Sequence, residues 1–79
     1  MSEVIFEKVA ALLASKKGVN RELVTIESSF EELGLDSLDS IELIADLEEE
    51  FKVIIPNTEL QNIKTIRNAV DGLAKAING

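Results

Sequence analysis

Ser37 is the residue with the clearest chemistry in prospect. It lies between Asp36 and Leu38, with Asp39 three positions beyond Asp36. Asp36 is a natural N-cap and Asp39 a short-armed reciprocal partner, so the spacing predicts a helix whose first residue is Ser37. A hydroxyl at that position is not needed for capping and is expected to face solvent. A phosphate ester on its oxygen would meet unpaired backbone N–H groups at the positive end of the helix dipole. A bare serine nucleophile is a poorer fit, because the chain has no histidine to deprotonate it. Taken alone, Ser37 is explained as well by an ordinary polar residue at a helix start.

The residue types that are absent narrow the field. Without cysteine or histidine there is no disulfide framework, no thiolate nucleophile and no Cys/His zinc site. Three phenylalanines without tryptophan or tyrosine make a poor stacking platform for single-stranded nucleic acid. Fifteen acids against eight bases leave a net charge of −7, which repels nucleic-acid phosphates and anionic membranes. The imbalance is local: residues 31–50 hold nine acids and no base, while the other residues carry six acids and eight bases. A partner for that segment should be basic; a solvated acidic helix face is the alternative. The acids do not follow calcium-loop spacing, so no metal site is expected.

Stepping along the chain, 79 residues with 46% apolar content suit one domain, 1–79, with one modest core. Val4, Ile5, Val9, Leu12 and Leu13 recur at helical spacing behind Ser2 as N-cap, and Lys16-Lys17-Gly18 makes a stop. A long connection follows to Leu35, anchored by Val24, Ile26 and Phe30, with Ser29-Phe30-Glu31-Glu32 able to start one helical turn that Gly34 ends. The second helix is expected from Ser37 to Phe51, then an extended segment to Pro56 and a short helix or turn over 57–61. Thr65 can cap a last helix with Ile66, Ala69, Val70, Leu73, Ala74 and Ile77 on one stripe, and Gly72 off it. No segment alternates with period two. The fold class is therefore all-α: three main helices and one short one, with a long loop between the first two main helices. No segment approaches membrane-spanning length, and Glu3, Glu7 and Lys8 break any apolar leader. A cytoplasmic protein, or an already processed chain, is expected, with no membrane insertion.

The second helix has more apolar residues than a core face needs. At about 100° per residue, Leu43, Ile44, Leu47 and Phe51 share one sector, whereas Leu38 and Ile41 fall about 100° or more from its centre, near Glu42, Glu48 and Glu49. An apolar centre with a carboxylate rim suits transient docking of a basic protein; burial of both residues by neighbouring elements is the alternative.

The run Leu33-Gly34-Leu35-Asp36-Ser37-Leu38-Asp39-Ser40-Ile41-Glu42-Leu43 resembles the phosphopantetheine attachment motif of the acyl carrier proteins. The likeness continues through Leu47-Glu48-Glu49-Glu50-Phe51 and Ile54-Ile55-Pro56, and upstream through Val24 and Ser29-Phe30. It implies a carrier without catalytic activity, with 4′-phosphopantetheine from coenzyme A on Ser37, flanked by Asp36 and Leu38. It implies docking through Leu38, Ile41, Glu42, Glu48 and Glu49, and an acyl pocket lined by Ile44, Leu47, Ile55, Ile63 and Leu73. The partners so implied are a phosphopantetheinyl transferase and acyl-transfer, condensing and reducing enzymes with basic patches, met by a monomer. Ala45, Asp46 and Gly72 depart from typical bacterial fatty-acid carriers, which leaves a polyketide, lipid or aminoacyl/peptidyl carrier open. An acidic interaction module with no need of Ser37 is the reading from a different class.

Overall fold

The computed structural model describes residues 2–78, and its element bounds follow from the local signals. Helix α1 is Ser2–Lys17, helix α2 is Ser37–Phe51, the short helix α3 is Asn57–Leu60, and helix α4 is Ile66–Asn78. A 3-10 turn, Arg21–Leu23, interrupts the first connection. Among the described residues there is no strand, only one isolated antiparallel bridge between Ser29 and Thr65. The fold is all-α, with three long helices and one short one. No helix is long and apolar enough to cross a membrane.

Helix α1 presents Ile5, Val9 and Leu13, all fully buried, at successive i+4 steps, with Ala10 beside them. Val4, expected in that stripe, is 60% exposed. One residue turns the helix by about 100°, which carries Val4 round to the flank where Lys8 pairs with Glu50. The side chain of Ser2, expected as the cap, lies outside the described residues. Gly18 ends the helix at φ 69°, a backbone state that favours glycine.

The long connection is held as firmly as a helix would be. Val24 and Phe30 are buried plugs, and Ile26 packs on the core half-exposed. Its backbone is stitched to the start of α4: Phe30 N–H donates to the Lys64 carbonyl at 3.0 Å, Ile66 N–H to Ser28 at 2.8 Å and Arg67 N–H to Ile26 at 3.0 Å. Glu32 N–H donates to Ser29 Oγ, but the turn stops at Gly34, φ 81°, before it becomes a helix. This loop therefore fixes where α2 begins relative to α4.

Helix α2 buries Leu43, Ile44 and Leu47, and α4 buries Ile66, Ala69, Val70 and Leu73. Thr65 caps α4 reciprocally: Asn68 N–H donates to Thr65 Oγ1 at 3.1 Å and Thr65 N–H to Asn68 Oδ1 at 3.2 Å. Between them, Lys52 turns the chain out of α2 in the left-handed region at φ 57°. Its N–H and that of Val53 both donate to the Glu48 carbonyl, so two backbone bonds hold a conformation that lysine rarely adopts. Pro56 then opens α3, where its missing N–H breaks no hydrogen bond.

Candidate functional site

The start of α2 is built around a reciprocal cap. Asp36 Oδ1 accepts the Asp39 N–H at 2.8 Å, and Asp39 Oδ2 accepts the Asp36 N–H at 3.2 Å. Ser40 adds a third tie, its hydroxyl donating to the Asp36 carbonyl at 3.1 Å. Ser37 is thereby held as the first helical residue, exposed, and its hydroxyl takes part in none of these bonds. The N–H groups of the first helical turn have no intrahelical acceptor other than the cap and stand beside that oxygen.

Leu38 and Ile41 are 64% and 53% exposed, at the edge away from buried Leu43 and Leu47. Their carboxylate surroundings differ from a free acidic rim, because α1 supplies cations to it. Lys17 Nζ bridges Asp39 Oδ1 at 3.0 Å and Glu42 Oε1 at 3.1 Å; Lys16 holds Asp46 at 3.0 Å and Lys8 holds Glu50 at 2.8 Å. The hydrogen bond from Lys17, reinforced by the Asp36 N–H, holds the Asp39 carboxyl below its ordinary range. Bonding to Asp39 first, then Glu42, raises the Lys17 ammonium above its own. Lys8 lowers Glu50 in the same way. The lysines could be read in the sequence only as favourable charges near the end of α1; nothing local indicated that they face α2.

Glu48 and Glu49 are unlike each other. Glu49 is exposed and holds no cation among the described residues. Glu48 is half-buried, and its Oε2 accepts the Ile55 N–H at 2.7 Å. Seven residues beyond Ile41 and four beyond Ile44, it lies on the face turned to the 52–56 segment and ties that segment down. One oxygen of Glu48 is therefore committed inside the molecule.

A cleft of about 530 Å³ opens beside Ser37, between α2 and the segment running from α3 to α4. Ile41, Ile44, Leu60 and Ile63 supply its apolar lining, and Ser40, Asn57, Gln61 and Lys64 its polar lining. Of the five residues expected to line a pocket, Ile44 and Ile63 are on its wall. Leu47, Ile55 and Leu73 are not; they are sealed in the core at 0–2% exposure. Helix geometry accounts for the placement of Leu47: three residues past Ile44 the helix has turned by about 300°, which swings Leu47 back towards Leu43 and the α1–α4 interior. The lining by Asn57, Gln61 and Lys64 has no sequence signal, because residues 57–64 carry no periodicity that assigns them to a wall. No group of three or more acidic side chains among the described residues could hold a metal ion.

The family model described as the phosphopantetheine attachment site matches residues 7–73, spanning the Ser37 turn and the helices that frame it. The acyl carrier protein of Chlorobium phaeobacteroides is 46% identical over 72 residues, which cover 90% of this chain and 92% of that protein. That of Chlorobium phaeovibrioides is 44% identical over the same span, with the same coverage. The crystal structure of an acyl carrier protein from Thermotoga maritima matches with a TM-score of 0.89 at 30% identity, over 98% of this chain and 91% of that one. The chain belongs to the acyl carrier protein family. It is a carrier of acyl intermediates by way of phosphopantetheine, not a catalyst, and it works with a phosphopantetheinyl transferase and biosynthetic enzymes.

The residues present fit that group. An exposed hydroxyl with no hydrogen bond among the described residues and first-turn N–H groups beside it suit a tethered phosphodiester, and the adjoining cleft leaves room for the arm. When bound, the arm supplies a thiol, the sulfur that this cysteine-free chain lacks.

Proposed function

We propose that Ser37 is the attachment residue and that Asp36 and Leu38 shape the turn a transferase must recognise. In the transfer, Ser37 Oγ loses its proton and bonds to the phosphorus as the pyrophosphate linkage of coenzyme A breaks, releasing adenosine 3′,5′-bisphosphate. The observation that carries this reading is the division of labour at the start of α2. Asp36 and Asp39 do the capping, so the Ser37 hydroxyl is left exposed and unengaged.

Docking falls to Leu38, Ile41, Glu42, Glu48 and Glu49. The two exposed apolar side chains support an apolar anchor. Glu49 and, through Lys17, the half-neutralised Glu42 make a graded rim for basic enzymes of fatty-acid or related synthesis. Ile44 and Ile63 line the resting cleft, and Leu47, Ile55 and Leu73 close the core behind it, positioned to admit cargo only if the core opens. Residues 1–79 act as one domain, a monomer of the cytoplasm. Intact mass after coexpression with a broad-specificity transferase tests the central claim. Wild type should gain one phosphopantetheine and Ser37→Ala none, with both retaining the helical circular dichroism of a folded chain. An unmodified wild type beside a loaded control carrier, or modification persisting in Ser37→Ala, would overturn it.

A further inference from the structure

All three lysines of α1 reach across to α2, but only one of them meets a docking residue. Lys8 pairs with Glu50 and Lys16 with Asp46, neither acid being in the docking set. Lys17 Nζ instead reaches Glu42 Oε1 at 3.1 Å and Asp39 Oδ1 at 3.0 Å. Lys17 is the last residue of α1, and its base is fixed. Gly18 turns the chain away at φ 69°, and Val19 N–H donates back to the Leu13 carbonyl at 3.2 Å. The packing of α1 on α2 therefore sets this bridge in place.

The two bridged carboxylates are not equivalent. Asp39 spends both oxygens inside the molecule: Oδ2 accepts the Asp36 N–H in the cap, and Oδ1 accepts from Lys17. Among the described residues Glu42 has only Oε1 engaged, and only by Lys17. The Glu42 side chain is 55% exposed, against 31% for Asp39 and 22% for Lys17. A cation arriving from solvent therefore meets Glu42 first, and the bond it can exchange is the one from Lys17. Lys17 then keeps Asp39, so the exchange leaves no half-buried ammonium without an acceptor. A guanidinium is the best competitor, because its planar fork offers parallel donors to both Glu42 oxygens and a bridging ammonium does not.

We propose that Lys17 is a built-in stand-in for the partner's cation, holding Glu42 until an arginine on the partner's docking face displaces it. This rests on Glu42 being a docking residue. The nine acids of residues 31–50 attract any basic surface. An internal competitor weakens each such encounter, so binding comes to depend on the apolar contacts of Leu38 and Ile41 as well as on charge. Lys17 is thus a residue that sets partner selectivity by acting through Glu42, without itself touching the partner.

The probe is a broad-specificity phosphopantetheinyl transferase, with KM and kcat measured for the unmodified carrier at low ionic strength. Lys17→Met keeps the packed stem and removes the ammonium; Lys17→Gln removes it with a polar end, and circular dichroism verifies that each is folded. Each should lower KM by about two- to fivefold with little change in kcat, the span of a solvent-screened pair. A merely structural role for Lys17 would raise KM instead. Arg67→Gln makes the same change in net charge at a pair with Glu27, outside α2, and should move KM far less. In a Glu42→Gln background the effect of Lys17→Met should shrink to that of Arg67→Gln. Glu42→Gln alone should raise KM; no change there would strike the docking role of Glu42, and this inference with it. If Glu42→Gln does raise KM, a KM for both Lys17 variants that is unchanged, raised, or lowered only as far as by Arg67→Gln would overturn the stand-in role alone. A full effect of Lys17→Met persisting without Glu42 would overturn it too, by assigning the release to Asp39.

Discussion

Replacing Asp36 separates the geometry that holds Ser37 from the charge around it. Asp36→Asn removes one negative charge from the nine acids of residues 31–50 but keeps a side-chain oxygen that can accept the Asp39 N–H. Asp36→Ala removes the same charge and the side-chain acceptor together, leaving the Asp39 N–H without its cap while the backbone N–H of residue 36 can still donate to Asp39 Oδ2. The difference between the two variants is therefore the cap, with charge relief common to both. Loss of an N-cap acceptor costs about 1 kcal/mol. On a domain of this size that corresponds to a Tm lower by roughly 4–8 °C. Thermal unfolding by circular dichroism should place Asp36→Ala below Asp36→Asn by that interval, with Asp36→Asn near wild type. Amide exchange at Asp39 and Ser40, both bonded to Asp36, should quicken in the alanine variant alone. Equal melting temperatures, together with unchanged exchange at Asp39, would refute the argument that the cap presents Ser37.

Asp39 also gives the protein an acid limb. Its folded carboxyl lies below the ordinary 3.8, so the Lys17 pairing contributes fully above that pH and is lost as pH falls through the depressed folded value. Melting temperatures followed down to about pH 2 should show wild type losing ground to Asp39→Asn below about pH 4; a gap constant over the whole range would exclude the pairing as its source. Gly72 lies inside α4, and a methyl group there would meet Ile63 Cδ1 at 3.7 Å, an ordinary contact. Gly72→Ala should therefore stabilise by about 0.5–1 kcal/mol, read as a higher urea midpoint, and a lower midpoint would show that the Ile63 contact is tighter than it looks.

Much of the candidate site was legible locally because its signals are local. The Asp36–Asp39 spacing announces a cap, and it places Ser37 first in the helix whatever the rest of the chain does. The angular excess of Leu38 and Ile41 follows from helix geometry, and both are exposed. The stripe through Ile66, Val70 and Leu73 and the stop at Gly18 are equally short-range features. Val4 shows where this reasoning thins. A helix start has apolar residues on adjacent faces, and only the position of the neighbouring helix decides which face is covered.

The same distinction runs through the function. The sequence by itself determined that a hydroxyl stands at a helix tip beside apolar and acidic side chains, because each of those facts needs only a few consecutive residues and a fixed 3.6-residue turn. Tertiary structure alone decided that Lys17, 22 and 25 residues away, binds Asp39 and Glu42 and so half-neutralises the docking rim. It alone decided that Leu47, Ile55 and Leu73 close the core while Ile44, Ile63 and Lys64 line the cleft beside Ser37. Those outcomes depend on how α1 and the 57–64 segment rotate against α2, and such a rotation is set by packing across the whole core rather than by any short run of residues.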